Sequence, residues 1–123
     1  MTGQISRLAA QMQSQFRLEM ASRGGASVIR VFGELDLATS PALEQELARV
    51  GGEEPPLIVV DLAELEFMDS TGLSVLVRAH QRAEETGQRF GLINSSQQVQ
   101  RLLTLTGVKD RLVLDEIPEL DDA

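Results

Sequence analysis

The sequence has no cysteine, no tryptophan, no tyrosine and a single lysine, Lys109. Without cysteine, disulfides, thiolate metal sites and thiol catalysis are excluded, which suits a reducing cytoplasm. Aromatic rings are confined to Phe16, Phe32, Phe67 and Phe90, 3% of the chain, and so few stacking platforms argue against single-stranded nucleic acid. Nineteen acids oppose eleven bases for a formal charge of −8, and the arginines are scattered, so the surface repels phosphate backbones and no direct nucleic-acid contact is expected. No apolar run approaches the roughly 20 residues of a membrane span, and residues 1–15 lack the apolar centre of a secretory signal. A soluble, cytoplasmic protein without membrane insertion is expected.

Chemistry is equally scarce. His80 is the only histidine, about ten helical residues or ~15 Å beyond Ser70, too far to take a proton from it. It reads as a packing or rim histidine on its helix. Gly24-Gly25 and Gly51-Gly52 are isolated pairs with no lysine after them, so no phosphate loop is present. Asp61, Glu64, Glu66 and Asp69 cluster in sequence, but oxygen ligands around a loop read as a solvated acidic rim rather than a metal site. No cofactor and no metal is expected, and the protein reads as a substrate of chemistry, not an enzyme.

What is present is an aliphatic core. At 123 residues with 42% apolar content, the chain fits one domain built from Leu, Val, Ile and Ala. Phe16, Leu18 and Met20 alternate with Arg17 and Glu19, and Arg23-Gly24-Gly25 turns the chain into the run Ser27 to Phe32, which predicts a hairpin. Thr39-Ser40-Pro41 supplies a hydroxyl cap and an early proline for a helix with Leu43, Leu47 and Val50 inward, ended by Gly51-Gly52. Leu57 to Leu62 is continuously apolar up to Asp61, as befits a central strand covered on both faces. After Ala63 to Met68, a helix starts near Ser70 with Leu73, Leu76, Val77, His80 and Ala83 on one stripe, closed by Thr86-Gly87. Arg89 to Ile93 is a strand, Ser95-Ser96 caps a helix carrying Val99, Leu102 and Leu103, and Thr106-Gly107 precedes a last strand, Leu112 to Leu114. The order implies a mixed sheet with helices packed on it, an α/β fold. Residues 1–15 form an extension, flexible or a short helix, in which Ile5, Leu8, Ala9 and Met12 fall at helical spacing; 16–117 form the domain, and 118–123 an acidic tail.

The segment Phe67-Met68-Asp69-Ser70-Thr71-Gly72-Leu73 places hydroxyls where a strand candidate ends and a helix begins. A helix start leaves N–H groups without partners and carries partial positive charge, so it accepts a side-chain oxygen and tolerates phosphate. Ser70 is therefore the candidate for a regulatory switch, although Ser, Thr and Asp also cap ordinary helices.

Taken in order, Gly33-Glu34-Leu35-Asp36 before a Thr/Ser-Pro helix start, the strand Leu57 to Leu62, the Asp69-Ser70-Thr71-Gly72-Leu73 core and Thr106-Gly107-Val108 resemble the STAS-domain family, and within it the small anti-sigma factor antagonists. The resemblance spans about residues 16–117. It implies a STAS-type mixed sheet with an N-terminal hairpin, and a partner switch. The unphosphorylated antagonist binds an anti-sigma factor that is also a serine kinase, freeing a sigma factor. The kinase phosphorylates the serine after the aspartate, here Ser70, with Thr71 as the alternative hydroxyl, and a PP2C-type phosphatase reverses it. Asp69 would position the loop, and Asp36, Thr39, Met68, Gly72 and Leu73 would join the docking surface. A monomer or weak dimer is expected when free. Ser74 departs from the very small residue many relatives carry after the leucine.

Two other readings stay open. A STAS domain can act without phosphorylation, as a scaffold in a stress-signalling assembly or a soluble subunit of a lipid transporter. A receiver-like domain would instead accept phosphate on Asp61, but receivers need an acidic pair after the first strand and a lysine after a late one, whereas Lys109 precedes the last strand.

Overall fold

The computed structural model describes residues 16–118, so the expectations for 1–15 and for the tail beyond Pro118 lie outside the described residues. Strand β1 (Arg17–Arg23) turns at Gly24 and Gly25, both with positive φ that glycine adopts at little cost, into β2 (Ala26–Leu35). The two strands pair antiparallel from Arg17↔Phe32 to Arg23↔Ala26, which is the expected hairpin.

Strand β2 is the spine of the sheet. Along its other edge it pairs in parallel first with β3 (Leu57–Asp61) and then, past a register irregularity between Gly33 and Glu34, with β4 (Leu65–Met68). Strand β5 (Arg89–Ile93) pairs in parallel with β3 on the far side. Parallel neighbours require crossovers, which α1 (Ser40–Gly52) and α2 (Ser70–Thr86) supply. Two further helices follow, α3 (Gln97–Leu105) and the single turn α4 (Lys109–Leu112).

The four helices among the described residues bury side chains in one cluster on one face of the sheet, where Leu43, Leu47, Val50, Leu73, Leu76, Val99, Leu103 and Leu112 meet Ile29, Val31, Leu35, Ile58 and Val60. A fully buried aliphatic side chain contributes about 1.5–3 kcal/mol, so this cluster rather than any cap holds the helices down. The opposite face has a smaller cluster, Ala26, Val28, Leu57, Val59 and Ile93, covered by Leu114 and Ile117. Every residue from Leu57 to Val60 is buried, as the continuous apolar run of β3 requires.

Three local expectations are corrected. The segment Ala63 to Met68 contains a strand, β4, which carries the chain to the start of α2. The expected last strand is instead α4 followed by one isolated parallel bridge, Leu92↔Val113, because the Val108 carbonyl accepts from the Arg111 and Leu112 N–H groups and winds that turn. On α2 the buried stripe is Leu73, Val75, Leu76, Ala79 and Ala83, while His80 sits at its margin with its ring edge-on to Phe90 at 6.3 Å and Nδ1 3.5 Å from Glu84.

Candidate functional site

The β2–β4 pairing builds the site. Leu35↔Met68 is its last register pair, and the Asp69 N–H donates to the Leu35 carbonyl at 3.1 Å, so the loops leaving both strands start side by side. The side-chain amide of Gln98 at the start of α3 donates to the Met68 carbonyl at 3.2 Å and braces the same corner. Asp36 to Thr39 and Asp69 to Leu73, thirty residues apart in sequence, thereby become neighbours.

Asp69 is the N-cap of α2, with its Oδ1 accepting from the N–H groups of Thr71 at 2.9 Å and Gly72 at 3.1 Å. The Leu73 N–H donates to the Asp69 carbonyl, the first regular bond of the helix. Three of the four N–H groups at this helix start are thus committed before any ligand arrives. Ser70 is the first helical residue and is exposed; Thr71 is half-buried. The Asp69 carboxylate thus already occupies the helix terminus beside the exposed Ser70.

The Asp36 loop is organised by its own side chains. Asp36 Oδ1 accepts from the N–H groups of Ala38 and Thr39, and Thr39 Oγ1 accepts from the Asp36 N–H at 2.9 Å while donating to the Glu34 carbonyl at 2.8 Å. Thr39 therefore does not make the expected side-chain cap of α1; its hydroxyl is spent tying the loop to the end of β2.

Exposure divides the expected docking residues. Met68, Gly72 and Leu73 are buried, whereas Ser70 is exposed and Asp36, Thr39, Asp69 and Thr71 are half-buried. Two apolar residues outside the expected docking set are exposed at this end of the sheet, Leu37 at 74% and Phe67 at 42%. Their signal was available: Leu37 is an aliphatic residue inside an Asp/Thr turn, and Phe67 follows Glu66 in a strand too short to bury both faces.

The acidic residues do not converge. Asp61 Oδ1 accepts from the Asn94 amide at 2.9 Å and the Ala63 N–H, and its Oδ2 lies 3.7 Å from Arg30, whereas Asp69 caps α2. Among the described residues no group of acidic, histidine or cysteine side chains is placed to hold a metal ion, and no helix is long and apolar enough to cross a membrane.

Comparison with known proteins places this geometry. The anti-sigma-F factor antagonist RsfB of Mycobacterium tuberculosis is 33% identical over 91 residues, 72% of each chain. The crystal structure of an anti-sigma factor antagonist from Mycobacterium paratuberculosis superposes with a TM-score of 0.73 at 32% identity, covering 79% of this chain and 82% of that one. The anti-sigma factor antagonist SpoIIAA in its unphosphorylated form gives 0.69 at 27% identity, covering 85% and 90%. The Bacillus cell fate determinant SpoIIAA in its phosphorylated form gives 0.65 at 26%, covering 85% and 93%. These relatives are named for antagonism of an anti-sigma factor, a regulatory binding role and not a catalytic one. The sequence model of the STAS domain matches residues 17–123, from the first residue of β1 onward, and the chain belongs to the STAS domain family.

Proposed function

We propose that this protein is an anti-sigma factor antagonist which, unphosphorylated, binds an anti-sigma factor with serine kinase activity and so releases a sigma factor. Phosphorylation of Ser70 by that kinase switches it off, and a PP2C-type phosphatase restores it. The observation that carries the reading is an exposed serine hydroxyl directly after an N-cap whose carboxylate already takes the helix-start donors. Phosphate adds about −1.5 to −2 charge at neutral pH, here beside Asp69 and near the exposed Glu66 and Glu34. Against a complementary docked surface that repulsion is worth several kcal/mol, each ~1.4 kcal/mol being tenfold in affinity. The core beneath, Met68 and Leu73, is untouched, so the interface is lost and the fold kept. The named antagonism of the relatives, and the existence of a related protein in both phosphorylation states, support this assignment.

The test mixes the protein with ATP and each serine-kinase anti-sigma factor of the same genome, following intact mass and complex formation for wild type, Ser70→Ala and Thr71→Ala. Mass gain in wild type and Thr71→Ala only, with dissociation of the modified complex, is the expected result. Unchanged gain in Ser70→Ala moves the switch to another hydroxyl, and binding indifferent to the modification leaves a scaffold role.

A further inference from the structure

Helices α1 and α2 part where they cover the start of β3, and the gap between them is a cleft of about 230 Å³. Its walls are Leu47, Ala48 and Gly51 on α1 and Ala79 and Ala83 on α2, with Ile58 of β3 between them. Residues four apart share a helix face, so Leu47/Gly51 and Ala79/Ala83 turn mostly small residues toward the facing helix, and the space follows from what they lack. A Cβ on Gly51 would meet nothing outside its own helix nearer than Gln88 Oε1 at 4.0 Å.

The polar groups around the cleft are already paired. Gln88 Nε2 donates to the Pro55 carbonyl at 3.1 Å and to the Gly51 carbonyl at 3.4 Å, and its Oε1 accepts from the Thr86 hydroxyl at 3.1 Å. The Gly51 carbonyl also accepts from the Glu54 N–H, and the Ala83 carbonyl from the Gln88 N–H, so the helix ends present no bare oxygens here. An occupant therefore meets apolar walls without a hydrogen-bond partner, which suits hydrocarbon and penalises a polar body. Arg82 is the exception. It is exposed, lines the same cleft and makes no ion pair among the described residues. Glu44 and Glu85 border the groove beyond it, but Glu44 is held by Arg78. A cavity of about 150 Å³ takes benzene, so by proportion one of about 230 Å³ takes roughly nine non-hydrogen atoms, a chain of about eight carbons.

We propose that this cleft binds an aliphatic monocarboxylate of medium chain length, its tail between α1 and α2 and its carboxylate on the Arg82 guanidinium. Ala83 stands thirteen residues along α2 from Ser70, about 20 Å, so the site is separate from the switch surface and does not rest on the function proposed above.

Sodium octanoate titrated into the isotope-labelled full chain should shift the amide signals of Gly51, Ala79, Ala83 and Gln88 to saturation. Gly51→Leu fills the cleft and should abolish those shifts; leucine replaces a helical glycine with an unobstructed Cβ, so the variant stays folded, which urea unfolding checks. Ala48→Leu, at an exposed position on the rim, should weaken binding in the same way. In the wild type 1-octanol should bind about fivefold more weakly than octanoate, the value of a solvent-facing ion pair, and Arg82→Gln should bring octanoate down to the affinity of octanol. Absent shifts, shifts that never saturate, or shifts that persist in a folded Gly51→Leu overturn the site. Equal binding of octanol and octanoate in the wild type, or octanoate binding unchanged in Arg82→Gln, overturns the carboxylate as the group recognised.

Discussion

Gly72 in the first turn of α2 lies so close to Leu35 at the end of β2 that a Cβ on it would sit 2.7 Å from the Leu35 Cγ and 2.9 Å from the Leu35 carbonyl oxygen. That oxygen already accepts the Asp69 N–H, so neither the backbone of β2 nor the helix start can retreat without breaking the corner that presents Ser70. The glycine is there for approach, since its own backbone is helical.

Gly72→Ala therefore sets two effects against each other. Alanine in a helix gains roughly 0.5–1 kcal/mol over glycine, while forcing a methyl into a packed site typically loses about 1–3 kcal/mol. One of the three clashing atoms is a backbone oxygen and the other two belong to the side chain of a fully buried leucine, so the loss dominates. The variant should be less stable by about 1–2 kcal/mol in urea unfolding. A variant as stable as wild type would mean the two segments are further apart.

Asp69 has separable roles, as a cap and as a charge. Asp69→Ala removes the acceptor of two N–H groups and should lower stability by about 0.5–2 kcal/mol. Asp69→Asn keeps the amide oxygen as acceptor and should stay within a few tenths of wild type in the same unfolding experiment, since Asn and Asp cap about equally well. Phosphorylation of Ser70 in Asp69→Asn should then weaken partner binding less than in wild type. If phosphate weakens both equally, the repulsion arises elsewhere than at Asp69.

How far these features could be read from the sequence depended on the range of the interaction that makes them. The hairpin, α1, β3, α2, β5 and α3 were legible because each is announced locally, by alternation, by an apolar run or by glycine at the turn. Strand β4 was not: in Leu65-Glu66-Phe67-Met68 only the two ends are buried, so four residues next to a register irregularity show no period of two. Leu112 to Leu114 is the converse case: three N–H groups donating to the Val108 and Lys109 carbonyls wind the chain into a turn that ends at Leu112, and only Val113 and Leu114 reach β5, through one bridge to Leu92 and one bond to its carbonyl. Ser70 was legible as a helix start beside an aspartate, but the adjacency of the Asp36 and Asp69 loops follows from the β2–β4 register, which only the family resemblance hinted at. Thr39 looked like a cap because hydroxyl-then-proline is the usual signature; its bond to the Glu34 carbonyl is a contact across the loop that no local pattern encodes.

That bond gives Thr39 a structural consequence. Thr39→Val keeps the shape but removes an acceptor for the Asp36 N–H and a donor to Glu34, each such hydrogen bond being worth about 0.5–1.5 kcal/mol net. The expected loss is about 1–2 kcal/mol, and Thr39→Ser should recover most of it. Amide exchange should quicken at Asp36 before it quickens in the core of β2. Uniform loss of protection would instead mean that the loop unfolds only with the whole domain.

The two crossover helices are also joined at the surface, where Arg78 on α2 donates to Glu44 on α1 at 2.6 Å. The hydrogen bond from this guanidinium, then its charge, holds the Glu44 carboxyl below its usual value of 4.5. With the folded value depressed, the contribution to stability is complete above the unfolded value and is lost as pH falls through the folded one. Both groups face solvent, so the effect on global stability should be small and screened by salt. The sharper measurement is the carboxyl titration of Glu44 by NMR. In Arg78→Ala it should move up toward its ordinary range, with only the weaker field of Arg82 opposing the shift. A titration that does not move would show that the ion pair is not populated in solution and that α1 and α2 are joined by their buried faces alone.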